Sequence, residues 1–187
     1  MATHRLTLEV ALKVTDNEAR SALEAIRIKM GHAARVRDLA REEVWELDVE
    51  APDADRAKSV VQDLVESSNL FANPNKHRTR VEHSEPGSVR LAPDEVAIVV
   101  SDRESAEGAS MVAAVERLGV RGISGARKWI RWRVRLTEPP SREEPGVLEF
   151  IRRIGVATGR RDGLLCNPHC QIASAILPWG DEKPLVR

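Results

Sequence analysis

Aromatic side chains are scarce in this chain. Its 187 residues contain no tyrosine, two phenylalanines and four tryptophans, 3% in all. That speaks against the stacking platforms on which single-stranded nucleic acids are held. Excess charge of either sign is also absent. Lys plus Arg and Asp plus Glu stand at 29 each, so no global field draws the protein to DNA, a membrane surface or acidic ligands. Apolar runs such as AILPW and VAIVV fall far short of the roughly 18 residues a membrane span needs. With only Cys166 and Cys170, a disulfide framework is not expected. MATHRLTLEV passes straight into a strand pattern without the apolar core of a signal peptide, and a cytoplasmic location is expected. No G-x-S-x-G elbow, H-E-x-x-H helix or Walker loop occurs.

What the chain does contain is an echo. NLFANPNKHR, from Asn69, and GLLCNPHCQI, from Gly163, place Asn-Pro pairs at 73–74 and 167–168. The echo extends backwards. RLTLEVALKV alternates with Leu6, Leu8, Val10 and Leu12 on one side, the pattern of a half-buried strand. Thr15 and Glu18 stand at capping-box spacing before a helical run through Ala19, Leu23, Ile26 and Met30, closed by Gly31. The connection HAARVRDLAREE is long enough for a further short strand before the alternating VWELDVE. Asp53 or Asp55 can cap a helix through Ala57, Val61, Leu64 and Val65, expected to run to the Asn73-Pro74 turn, and HRTRVE supplies a last strand. Residues 95–177 repeat the order: VAIVV, a helix from about Ala106 to Gly119, WIRWRVRL, a helix opened by Ser141 and Glu144 and ended by Gly155, then LLCNP.

A tandem duplication follows, each half reading β-α-β-α-β. The expected fold class is α+β: two tandem ferredoxin-like sandwich modules, helices on one face of each sheet, closing on each other as a pseudo-dimer. The expected boundaries are 1–83 for the first module, 84–94 for a Pro- and Gly-containing linker, 95–178 for the second module and 179–187 for a C-terminal tail.

Chemical candidates are few. Gly119, Gly122 and Gly125 lie after a helix and before a strand, the reverse of the order in a dinucleotide fingerprint. Cys166, His169 and Cys170 offer three zinc ligands where a structural site needs four, and Pro168 forbids helical spacing between them, so no metal is expected. Strand alternation sends Trp132 into the core, leaving Trp129 beside the arginines of RKWIRWRVR, and no nucleic-acid binding is expected. The charges themselves are patterned. Opposite Trp45, Leu47 and Val49 stand Glu46, Asp48 and Glu50; opposite Ile130, Trp132 and Val134 stand Arg131, Arg133 and Arg135. These two strand faces are expected to meet between the modules, orienting them by charge complementarity.

On VRDLAREEVWELDV, DADRAKSVVQDLVESSNLFANP and the opening RLTLEVALK, residues 5–82 resemble the PurS subunit of phosphoribosylformylglycinamidine synthase. Residues 95–177 resemble the same module through VRGISGARKWIRWRV and LLCNP. Where the family has an Arg-x-Gly-Lys turn before the alternating strand, Ala40, Arg41, Glu42 and Glu43 stand here. Ser124, Gly125, Ala126, Arg127 and Lys128 partly keep its basic character in the second half.

The resemblance implies a noncatalytic subunit of an ATP- and glutamine-dependent ligase in purine biosynthesis. It would bridge a PurL-type synthetase and a PurQ-type glutaminase so that ammonia passes between them. ATP and Mg would be used by the synthetase, with no cofactor in this chain and no catalytic residue of its own; homo-oligomerisation is open. Candidate contacts are Asn73, Pro74, Arg127, Lys128, Trp129, Arg131, Arg133, Arg135, Asn167 and Pro168. A reading from another class is a tandem regulatory module that binds a small metabolite at its pseudo-twofold interface.

Overall fold

The computed structural model describes residues 1–84, 89–143, 146–159 and 162–186. The described residues are mixed α+β, with seven antiparallel strands and four α-helices. The first half comprises β1 (Ala2–Leu12), α1 (Asn17–Glu24, continued by a π-helical turn Ala25–Lys29), β2 (Val36–Ala51), α2 (Ala54–Ser67) and β3 (His77–His83). The second comprises β4 (Glu95–Asp102), α3 (Glu107–Arg117), β5 (Ile123–Leu136), α4 (Val147–Gly155), β6 (Gln171–Ile176) and β7 (Glu182–Val186). Strand order is β3-β1-β2-β5-β4-β6-β7. Part of the expected linker 84–94 and the expected cap Glu144 lie outside the described residues.

The element order repeats as the sequence implies, with five adjustments. The further short strand after α1 is not separate: it merges with VWELDVE into the 16-residue β2. At α1 the cap moves one residue, to Asp16, whose Oδ1 accepts from the Glu18 and Ala19 amides at 2.9 and 3.1 Å. Helix α2, capped by Asp53, stops at Ser67, well short of Asn73. There the Ser67 and Ser68 hydroxyls donate back to the carbonyls of Asp63 and Leu64, and Ser68 is extended. Helix α4 begins only at Val147, behind a left-handed Gly146. Finally, the C-terminal tail contains a strand, β7, for which the repeat has no counterpart. Gly31 and Gly119 end α1's π-helical extension and α3 with nearly the same positive φ, 78° and 77°.

The compact units cut across the sequence repeat. The first consists of Met1–Val14, Glu42–Pro86 and Ser105–Trp129; the second of Thr15–Arg41, Gly87–Glu104 and Ile130–Arg187. Thr15–Arg41, with α1, thus falls in the second unit, and Ser105–Trp129, with α3, in the first. In the first unit, Leu6, Leu8 and Val10 of β1, Trp45, Leu47 and Val49 of β2 and Val61 and Leu64 of α2 form one core, which Val115 of α3 and Ile123 complete. In the second, Val96, Ile98 and Val100 of β4, Trp132 and Val134 of β5 and Ile151 and Ile154 of α4 take in Ala19, Ala22 and Ile26 from α1 and its extension. The exchange is possible because β2 and β5, at 16 and 14 residues, are more than twice the usual strand length of about 5–6. Each has residues in both units.

Candidate functional site

The two Asn-Pro turns are built from the same hydrogen bonds. In the first, Asn73 Oδ1 accepts from the Asn75 amide at 2.9 Å, and the Asn73 carbonyl accepts from the Lys76 and His77 amides. The Asn73 amide donates to His77 Nδ1 at 2.9 Å. In the second, Asn167 Oδ1 accepts from the His169 amide, the Asn167 carbonyl accepts from the Cys170 and Gln171 amides, and the Asn167 amide donates to Gln171 Oε1. A short polar side chain that folds onto its own backbone sets the turn, and proline holds the next residue in a compatible conformation.

Each turn is tied down in the same way by the residue that follows the first strand of its half. The Lys13 amide donates to the Lys76 carbonyl and its Nζ donates to the Pro74 carbonyl, at 2.8 and 2.7 Å. The Arg103 amide donates to the Cys170 carbonyl and its guanidinium to the Pro168 carbonyl, at 2.9 and 3.2 Å. Reading the sequence by Asn-Pro alone misses Lys13 and Arg103. The only signal for them is a basic residue just beyond each first strand. Replacing either asparagine by alanine removes the bond that its Oδ1 accepts within the turn, so Asn73→Ala and Asn167→Ala are each expected to lower stability by about 1 kcal/mol. Chemical denaturation of the two variants side by side checks that the costs match.

The basic strand is differently placed from what its composition suggests. Arg131 is 2% exposed, so it is not a surface contact. It stands one residue before Trp132, as the buried Val44 stands before Trp45. Arg133 donates to Glu95 Oε2 at 2.7 Å, and Arg135 lies 3.6 Å from Asp94 and 3.7 Å from Glu95. On the acidic strand, Glu46 and Asp48 take Arg5, at 3.6 and 3.0 Å. The Glu50 amide donates to the Gly122 carbonyl. Glu46, Asp48, Arg133 and Arg135 thus each have a counterion within their own unit.

Lys128 is likewise engaged. Its Nζ lies 2.9 Å from Glu107 and 3.2 Å from Glu43, and 5.3 Å from the centre of the Trp45 ring. Burial works against its charge, but the two carboxylates outweigh that and hold its pKa above the ordinary lysine value. Arg127 is exposed and Trp129 half-buried. Ala40–Glu43 and Ser124–Lys128 stand within β2 and β5. Arg41 there pairs with Asp16 and Glu18 and lies over the Trp132 ring.

Glu95 is the acid that sequence reading passed over. It is 9% exposed, and its Oε2 accepts from both the Ala92 amide and Arg133. Burial pushes its carboxyl up, but the Arg133 hydrogen bond, the Ala92 amide and the charges of Arg133 and Arg135 bring it below the usual range. Below the unfolded carboxylate pKa, therefore, the unfolded chain binds the proton first. Glu95 contributes stability fully above about pH 4.5 and loses it as the pH falls through the lower folded value. Glu95→Gln is expected to cost about 1–3 kcal/mol at neutral pH and to flatten the acid limb of the stability profile, measured by urea midpoints across that range.

The glycine-rich run serves backbone approach. A Cβ on Gly122 would lie 2.9 Å from the Glu50 carbonyl oxygen, and one on Gly125 2.8 Å from the Asp48 carboxylate. An acid facing Gly125 opposes a phosphate there. Cys166 is buried and Cys170 exposed. Burial, then Cys170, push the Cys166 thiol up. Among the described residues no group of three His, Cys, Asp or Glu side chains is placed to hold a metal ion, and no helix is long and apolar enough to cross a membrane. A recess of about 250 Å³ opens at the start of α4 beside Arg142, Trp179, Asp181 and Lys183. Its cations are occupied: Arg142 lies over Trp179, and Lys183 is 3.9 Å from Asp181.

No protein-family model and no curated protein matches the chain.

Proposed function

We propose that this chain is a noncatalytic accessory subunit of a phosphoribosylformylglycinamidine synthase, two PurS-like modules of ferredoxin-like type fused as a covalent pseudo-dimer. Its task is to bridge the synthetase and glutaminase subunits so that ammonia passes between them without loss. The resemblance of residues 5–82 to that subunit supports the reading. The observation that carries the two-module part is the pair of Asn-Pro turns at 73 and 167, built from one hydrogen-bond scheme and each anchored by a cation after the first strand.

The exposed parts of those turns, with Arg127 and Trp129, are the contacts assigned to partner proteins; Arg131 is buried, and Arg133 and Arg135 pair with Glu95 and Asp94. The test is reconstitution with purified synthetase and glutaminase subunits. The chain should co-elute with them and restore glutamine-dependent formation of the amidine while leaving ammonia-dependent synthesis unchanged. Absence of both co-elution and any effect on the glutamine-dependent rate would remove the assignment.

A further inference from the structure

The repeat allows one edge of the fold to be compared with another inside the same chain. β3 and β6 are equivalent strands, each antiparallel to the first strand of its half. The Lys13 amide donates to the Lys76 carbonyl at one end of the β1–β3 ladder, and the Ser84 amide to the Arg5 carbonyl at the other. Even-numbered residues of β3 therefore turn their backbone groups toward β1, and Thr79, Val81 and His83 turn theirs outward. On β6 the Arg103–Cys170 bond sets the same parity, so Ala173 and Ala175 face outward.

The second half covers that edge. β7 lies antiparallel on β6, with Ala175 opposite Lys183 and Ala173 opposite Val186. β7 also stops further growth. Pro184 stands opposite Ser174, a residue whose backbone faces β4, so the proline's missing N–H falls on the outer side, and the ladder is irregular between Ala173 and Ser174. Among its described residues the first half carries neither device. β3 ends the strand order with β1 as its neighbour, seven residues long and free of proline.

We propose that β3 pairs with β3 of a second copy of this chain, antiparallel about a two-fold axis at Val81. In that register Val81 faces Val81 and Thr79 faces His83, all with outward backbone groups. Arg80 of each copy stands opposite Glu82 of the other. Arg80 and Glu82 already form an ion pair along their own strand, so the four side chains would close a cluster of alternating sign. The next register, centred on Arg80, would also pair Arg78 with Glu82 but sets the two Arg80 side chains directly opposite at the axis, which the Val81 register avoids. A formal net charge of zero leaves no global repulsion between copies. The pairing is independent of which proteins the subunit bridges.

Analytical ultracentrifugation of the full chain over a concentration series tests it. The wild-type protein should sediment as a dimer at micromolar concentration. Thr79→Pro removes one outward N–H at an exposed position without touching the β1 ladder, and should yield a monomer of unchanged thermal midpoint. Arg80→Glu and Glu82→Arg should each weaken the dimer about tenfold, and the double variant should recover it. These charge variants decide the matter if the proline variant fails to fold. A wild-type chain that stays monomeric up to about 100 μM, or a dimer indifferent to all of these changes, overturns the proposal. So does an edge that pairs only after another protein is added, since that protein would then be the occupant.

Discussion

Gly108→Val is expected to destroy the cooperative unfolding transition of the first unit, or to lower its stability by about 3 kcal/mol or more. Gly108 sits in the first turn of α3, where the helix meets β5 backbone to backbone. A Cβ there would lie 1.9 Å from the Ala126 carbonyl oxygen and 2.9 Å from its carbon. No side-chain rotation relieves a clash with main chain, so the helix must move away by more than an ångström. That movement lifts Val115 from its seat in the core, along with the partly buried Met111 and Val112. Gly108→Ala separates this effect from helix propensity, which would favour alanine by about 1 kcal/mol; a net loss shows that close approach wins. Gly31→Ala is the control. Gly31 has a φ of 78° but nothing within 4 Å of the added carbon, so only the backbone cost of about 1–2 kcal/mol applies. Urea midpoints of the three variants give the ranking, and a Gly108→Val chain as stable as Gly31→Ala would show that α3 is not held against β5.

Residues 1–86 expressed alone are expected to remain unfolded as a monomer, although they hold β1, α1, β2, α2 and β3. The core that Leu6, Leu47 and Leu64 build would lack Val115 and Ile123, and with them Met111, Val112, Val120 and Ala126. Meanwhile Ala19, Ala22, Ile26, Val36 and Leu39 would lose the core formed with β4, β5 and α4. Each larger side chain returned to water forfeits about 1.5–3 kcal/mol, and a domain has only about 5–15 kcal/mol in hand. Mixing the fragment with residues 87–187 should restore the fold, because together they supply both complete units. Circular dichroism and amide-proton dispersion of each fragment and of the mixture provide the readout. A cooperative, monomeric 1–86 would contradict the exchange of helices.

Much of the local structure was legible in the sequence for identifiable reasons. β1 and β4 announce themselves because each buries one face, leaving the alternation Leu6-Leu8-Val10 and Val96-Ile98-Val100. The Asn-Pro turns are legible because Asn closes a turn on its own backbone whatever surrounds it. Boundaries were less so. Ser67 and Ser68 end α2 early by donating to carbonyls one turn back, a choice that sequence periodicity does not record. The arginines of β5 read as a basic surface since a strand pattern shows which face a residue takes, not which neighbour waits there; Glu95 and Asp94 become visible as their counterions only once β4 is paired to β5.

By itself, then, the amino-acid order determined the kinds of element, their repeated succession and the form of both Asn-Pro turns, since those depend on backbone sterics and on contacts a few residues away. Only the tertiary structure decided that α1 serves the core of the second half and α3 that of the first. An apolar stripe requires burial, but hydrophobic attraction has no direction and does not specify which of two similar surfaces supplies it. Between two halves with the same order of elements that choice falls to the length of β2 and β5 and to close-fitting points such as Gly108 against Ala126.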